Sequence, residues 1–288
     1  MKKLWLVLVF VLTLGSASAD ELAPIQRAQL AVLHGQYSFA IELAAQSPEF
    51  ALLMVDAEAR LSRVSIGAST SPTQDIDQAE ASAKQALALQ PDALAPRISL
   101  ITALGYRARG RSLFTGFRKG WAAKSRALID EALVLAPDDP WPHALSGSWH
   151  LEILRRSGIR RAKFVGASFE AGLAGCATAL KLANGDATII GQCALALLAV
   201  KEPILDEKGW EALKLASAST NTEDAFSCLR QDQALQILTE RDSNGVARAR
   251  ELAVMFLLGT NPPTDWPKQC VQSRPLRPAA TSGPGIQD

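Results

Sequence analysis

Four cysteines, three histidines and two clusters of arginine and lysine are the residues of this sequence best suited to chemistry, and their spacing says more than their number. Cys176, Cys193, Cys228 and Cys270 include no Cys-x-x-Cys pair, so neither a zinc knuckle nor a dithiol redox motif is expected. His143 and His150 stand two helical turns apart, about 10 Å along an axis, too far to share one metal ion. His150-Leu151-Glu152 lacks the later cysteine pair that a zinc deaminase needs. Gly-x-Ser-x-Gly, His-Glu-x-x-His, P-loop and dinucleotide-binding fingerprints are all absent. The expectation is a protein that is not an enzyme and takes no metal or small-molecule cofactor, with His143, Trp141 and Trp149 serving to pack.

The basic clusters are more distinctive. Arg107, Arg109, Arg111, Arg118, Lys119, Lys124 and Arg126 follow one another without an intervening acid, and Arg155, Arg156, Arg160, Arg161 and Lys163 repeat the bias further on. Phe114, Phe117 and Trp121 interleave with the first group and Phe164 with the second. Clustered arginines grip carboxylate and phosphate bidentately, which suits an acidic peptide, an anionic lipid head group or an anionic envelope polymer. The competing reading is a solvated face whose aromatics cover helix ends.

The first nineteen residues have the parts of a secretory signal: Lys2 and Lys3, an apolar run from Leu4 to Leu14, and Ala17-Ser18-Ala19 before Asp20. Cleavage between Ala19 and Asp20 is expected. The apolar run is shorter than the roughly 20 residues of a membrane-spanning helix, and no cysteine follows the cleavage site as a lipoprotein would require. Export places the mature chain in the periplasm, with secretion beyond the envelope left open, and makes nucleic acid a poor candidate partner. Without Lys2 and Lys3 the basic residues number 28 against 29 acidic ones, so bulk charge selects no partner. Alanine and leucine dominate, aromatics are 6%, and β-branched runs are scarce, all of which favours helix.

Self-similarity organises those helices. AKQALALQPDA from Ala83, SRALIDEALVLAPDDP from Ser125 and GCATALKLANGDA from Gly175 superpose Pro91, Pro137 and Asn184, which lie 46 and 47 residues apart. Each copy reads as a helix end, a tight turn and a new helix. Small-Leu-x-Leu cores let a neighbouring helix approach. Pro91 and Pro137 stop their helices, and Asn184-Gly185 enters the left-handed region. Asp92, Asp139 and Asp186 stand ready as N-caps.

This pattern resembles the tetratricopeptide repeat (TPR), best over Ala79 to Val200. Leu33 to Ala40 is similar to the passage between its two helices, and Gly147 falls at its small-residue position. The resemblance implies an all-α fold, a right-handed solenoid of antiparallel helix hairpins whose concave face binds a protein or peptide partner. The units exceed the usual length of about 34 residues, and the extra pieces fall between first and second helices, where the basic clusters lie. Extended inter-helix connections are therefore expected, side by side on one edge. The expected divisions are a signal peptide (1–19), N-terminal hairpins (20–64), a linker (65–75), TPR-like repeats (76–200), a C-terminal helical cap (201–258) and a proline-rich, largely disordered tail (259–288). Within the cap, helices are expected over Glu207 to Ser217, Thr222 to Thr239 and Asn244 to Leu258, started by Asn221 to Asp224 and by Asp242-Ser243.

An exported chain meets oxidising conditions. Cys176 lies eight residues before Asn184 and Cys193 eight after Gly185, matching heights on antiparallel helices. The pairing Cys176–Cys193 follows, leaving Cys228–Cys270 to tie down the tail; the alternative is that all four are small core residues.

Overall fold

The computed structural model describes residues 23–109, 111–220 and 224–260. The signal segment with its Ala19-Asp20 cleavage point, and the tail beyond Thr260 with Cys270, lie outside the described residues. Among those described there is no β-strand. Thirteen α-helices follow in chain order: α1 (Pro24–Leu33), α2 (Tyr37–Ala44), α3 (Phe50–Ser65), α4 (Pro72–Leu89), α5 (Leu94–Arg109), α6 (Leu113–Arg118), α7 (Trp121–Leu135), α8 (Pro140–Ala162), α9 (Phe169–Leu182), α10 (Ala187–Leu198), α11 (Pro203–Ser217), α12 (Ala225–Asn244) and α13 (Val246–Leu258). Among the described residues no helix is long and apolar enough to cross a membrane.

The three aligned signals terminate α4, α7 and α9, each two residues before Pro91, Pro137 or Asn184, and α5, α8 and α10 each begin three residues after. That constant offset is the local physics of the repeat. Asp139 accepts from the Trp141 amide at 2.8 Å and Asp186 from the Thr188 amide at 2.7 Å, each supplying an acceptor to an otherwise unpaired first-turn N–H. Asp92 is a correction: it is one residue too early, because Ala93 occupies the position before α5. Asn184 (φ 46°) and Gly185 (φ 81°) both turn through the left-handed region.

The inserted pieces take different forms. The first holds α6, and the second lengthens α8 through a kink at Gly158 (φ 72°) into a 3-10 turn over Lys163–Val165. At the C-terminal end α12 runs on to Asn244 and α13 is entered through Gly245 (φ 86°), so Asp242-Ser243 lies inside a helix and does not cap one. Asp224 does cap α12, accepting from the Phe226 and Ser227 amides at 2.8 and 2.9 Å.

Consecutive helices pack on one another, and a large core unites α8 to α13. The tightest crossing is between α8 and α9. A Cβ at Gly147 would lie 2.7 Å from Cys176 Sγ and 2.8 Å from the Cys176 amide, and one at Gly175 would lie 2.8 Å from the Gly147 amide. The expected Cys176–Cys193 disulfide is corrected here. Both are free, buried thiols; Cys176 is hydrogen-bonded to Cys193, and that bond and burial together push its pKa well above the ordinary thiol range. The Cys176 sulfur lies in the notch over Gly147, so the close α8 crossing sets its position.

The last helices return to the first. Leu229 of α12 is buried in the same cluster as Leu52, Val55 and Ile66, with Phe226 packed against it. Arg230 donates to Ser65 Oγ at 3.1 Å, and Arg109 donates to the Leu257 carbonyl at 2.8 Å. Gly259, at φ 66°, passes the carbonyls of Val64 and Ser65 so closely that a Cβ there would meet them at 2.7 and 2.8 Å. The array is therefore closed on itself along a seam made by α12 and α13 against α1 and α3.

Candidate functional site

The inner face of the array lines a chamber of about 1070 Å³ that is broadly open to solvent. Its wall is built mainly from α3, α5 and α8, with smaller contributions from α1, α2, α6, α7, α10 and α12, while α4, α9, α11 and α13 contribute no lining residue. Ile98 and Ile101 of α5, Leu145 and Trp149 of α8 and Met54 of α3 make much of it apolar. Met54, Ile98, Leu145 and Trp149 are half-buried, as apolar side chains turned toward an open chamber are, while Ile101 is buried. Gly105 of α5 also faces in, and a Cβ there would meet nothing within 4 Å.

Polar groups enter at separate places. Asp139, Asp186 and Asp224, the caps of α8, α10 and α12, mark the ends where those helices begin. On α3, Glu58 is solvent-exposed on the chamber wall, and the protein crowded around it, together with the neighbouring Asp224 charge, shifts its carboxyl upward. Burial raises the Tyr37 phenol as well, against the lowering effect of its hydrogen bond with Ser62. At the far ends of α5 and α8, Arg155 holds Glu152 with two bonds of 2.8 Å. Burial opposes ionisation of Glu152, but Arg155, with Arg109 and Arg156 close by, keeps it below the ordinary carboxylate range.

The basic clusters divide when placed in three dimensions. Arg107 is neutralised by Asp77 at 2.6 Å and Glu80 at 2.5 Å, both from α4. Arg109 is committed to the Leu257 carbonyl of α13, and Arg156 holds the start of the first insertion, donating to the Ala108 and Arg111 carbonyls at 2.9 and 2.6 Å. Arg155 is committed to Glu152. Arg111, Arg118, Lys119, Arg160, Arg161 and Lys163 remain exposed. Phe114 and Phe164, 73% and 87% exposed, stand among them and also line the chamber, with Arg118 over the Phe114 ring at 6.0 Å. Thus Phe114, Arg161 and Phe164 bring the two insertions together at one mouth.

Arg230 was not foreseen as a site residue. Its signal was nonetheless present: it lies on one stripe of α12 with the half-buried Phe226 and the buried Gln233 and Ile237, an arginine on an inward face at helical spacing.

His150 has a packing role with a pH consequence. The Ser168 amide donates to its Nδ1 at 3.2 Å, and Arg126 Nη1 stands 2.9 Å from Nε2. Burial first and the Arg126 charge second push its pKa down to about 4, against 6.5 for a free histidine. The folded form therefore binds fewer protons than the unfolded form between pH 6.5 and 4, and stability falls as pH drops through that window. Thermal denaturation should show His150→Gln flattening this acid loss by about 1–2 kcal/mol, allowing for solvent screening.

No protein-family model, curated protein or solved structure matches the chain.

Proposed function

We propose that this is a non-catalytic, exported binding protein: a TPR-like right-handed solenoid of antiparallel helix hairpins, closed into a ring, that holds one ligand in its inner chamber. The observation that carries this reading is the chamber itself, lined from α1 through α12 and most heavily by α3, α5 and α8. Small-ligand sites typically occupy about 300–1,000 Å³, so about 1070 Å³ suits one elongated ligand or a short peptide segment and is too small for a folded partner. This narrows the protein-or-peptide partner implied by the repeat resemblance to something that can fit within it.

A second reading, attachment to an anionic lipid surface or envelope polymer, is supported by the exposed Phe114 and Phe164 among cations at the mouth. The two separate in one experiment. Gly105→Trp fills open space inside a helix, so it should leave the fold intact while blocking the chamber. After exposure to envelope extract, native mass spectrometry should find one noncovalent increment on the wild type and on Arg160→Gln/Arg161→Gln, and none on Gly105→Trp. An increment kept by Gly105→Trp and lost from the arginine variant would move binding to the basic edge.

A further inference from the structure

The inner wall carries a cation that no carboxylate among the described residues answers. Arg230 is 4% exposed, and its stem packs on α10 at Gly191, where a Cβ would come within 3.4 Å of it. Its guanidinium donates to Gln233 Oε1 at 2.7 Å and to Ser65 Oγ at 3.1 Å, and lies 4.9 Å from the centroid of the Phe226 ring. All three partners are neutral. Its Nε is buried and has no hydrogen-bond partner among the described residues, and the same holds for the Nε of Arg109. Among the described residues no carboxylate forms an ion pair with either arginine. Burial lowers the Arg230 pKa, and the charge of Arg109 lowers it further against the raising effect of Tyr106 and Tyr37, so the two arginines repel.

The chamber carboxyls do not relieve this. Asp224 is held by the Phe226 and Ser227 amides and the Ser227 hydroxyl, Glu58 is solvent-exposed and forms no ion pair with either arginine, and Glu152 is gripped by Arg155. A desolvated guanidinium with only neutral partners is costly, and its planar fork of donors fits carboxylate or phosphate. The same chamber has an apolar wall along Ile98, Ile101, Leu145 and Trp149.

Resting on the chamber reading above, we infer that the ligand is an anionic amphiphile whose carboxylate or phosphate head seats against Arg230 and Arg109 and whose alkyl body lies along the apolar wall of α5 and α8. The cation sets the choice of head group, and the volume sets the length of chain.

Calorimetric titration of the purified mature protein with hexadecanoate, hexadecyl phosphate and hexadecan-1-ol tests this. One anion per chain is expected, with the alcohol at least ten-fold weaker. The tighter of the two anions identifies the head group. Arg230→Met should bring the anions down to the level of the alcohol without changing the alcohol itself, and Gly105→Trp should abolish all three. Arg230→Met is expected to fold with an unchanged or raised Tm, because an apolar side chain replaces a buried charge without a counter-ion. If the alcohol matches the anions, or Arg230→Met leaves the anions unaffected, the head-group assignment fails while the chamber stands. If Gly105→Trp still binds, the chamber reading itself fails. No binding of either anion, or tighter binding of an apolar heptapeptide, overturns the amphiphile.

Discussion

Gly147→Val should destabilise the protein by about 3 kcal/mol or more, although glycine in a helix interior is ordinarily a residue whose replacement helps. Helix propensity alone favours replacement by alanine by about 1 kcal/mol. Packing reverses the sign. A Cβ at this position would lie 2.7 Å from Cys176 Sγ, 2.8 Å from the Cys176 amide and 2.9 Å from the Gly172 carbonyl. Two of those atoms are backbone, so no rotamer change can make room and α8 must move away from α9. Overpacking of this kind costs about 1–3 kcal/mol for an added methylene or two, and valine adds two methyl groups beyond the Cβ. The displacement would open the core that joins Leu151 to Cys193 and Leu197. Urea denaturation should show Gly147→Ala destabilised despite its better propensity and Gly147→Val considerably more so. A stabilised Gly147→Ala would mean that the two helices do not cross this closely.

Leu229→Ala should have the second large effect, and it should appear at both ends of the chain. Leu229 is 3% exposed and belongs to α12, yet it lies in the cluster formed by α1, α2 and α3. Removing a buried leucine side chain costs about 2–5 kcal/mol through lost transfer energy and the cavity left behind. Its position makes the loss specific to the seam. Arg230 and Gly259 contact the end of α3 nearby, so a loosened α12 weakens the entire closure. Hydrogen exchange should therefore accelerate together in α1 to α3 and in α12 and α13, while the α8–α9 crossing keeps its protection. Acceleration confined to α12 would show that the two ends are not cooperatively joined.

Much of the helical framework was legible from local chemistry. Proline cannot continue a helix, Asn-Gly readily turns left-handed, and aspartate caps the turn that follows, so the ends of α4, α7 and α9 stand where Pro91, Pro137 and Asn184 place them. Those effects act within a few residues and need no knowledge of the rest of the chain. Gly147 was visible as a small residue in its helix, and the crossing with Cys176 explains why it must be small.

Charge was harder to read because sequence neighbours are not spatial neighbours. Arg107 and Arg109 belong to a run without acids, yet Arg107 meets Asp77 and Glu80 from the preceding helix and Arg109 meets the end of α13. Cys176 and Cys193 stand close, as equal distances from a turn suggested, but as free, hydrogen-bonded thiols. Only tertiary structure could join α12 and α13 to α1 and α3, because that contact spans more than 150 residues and depends on the summed curvature of every helix pair between them. The chamber, and the buried arginine on its wall, are consequences of that closure.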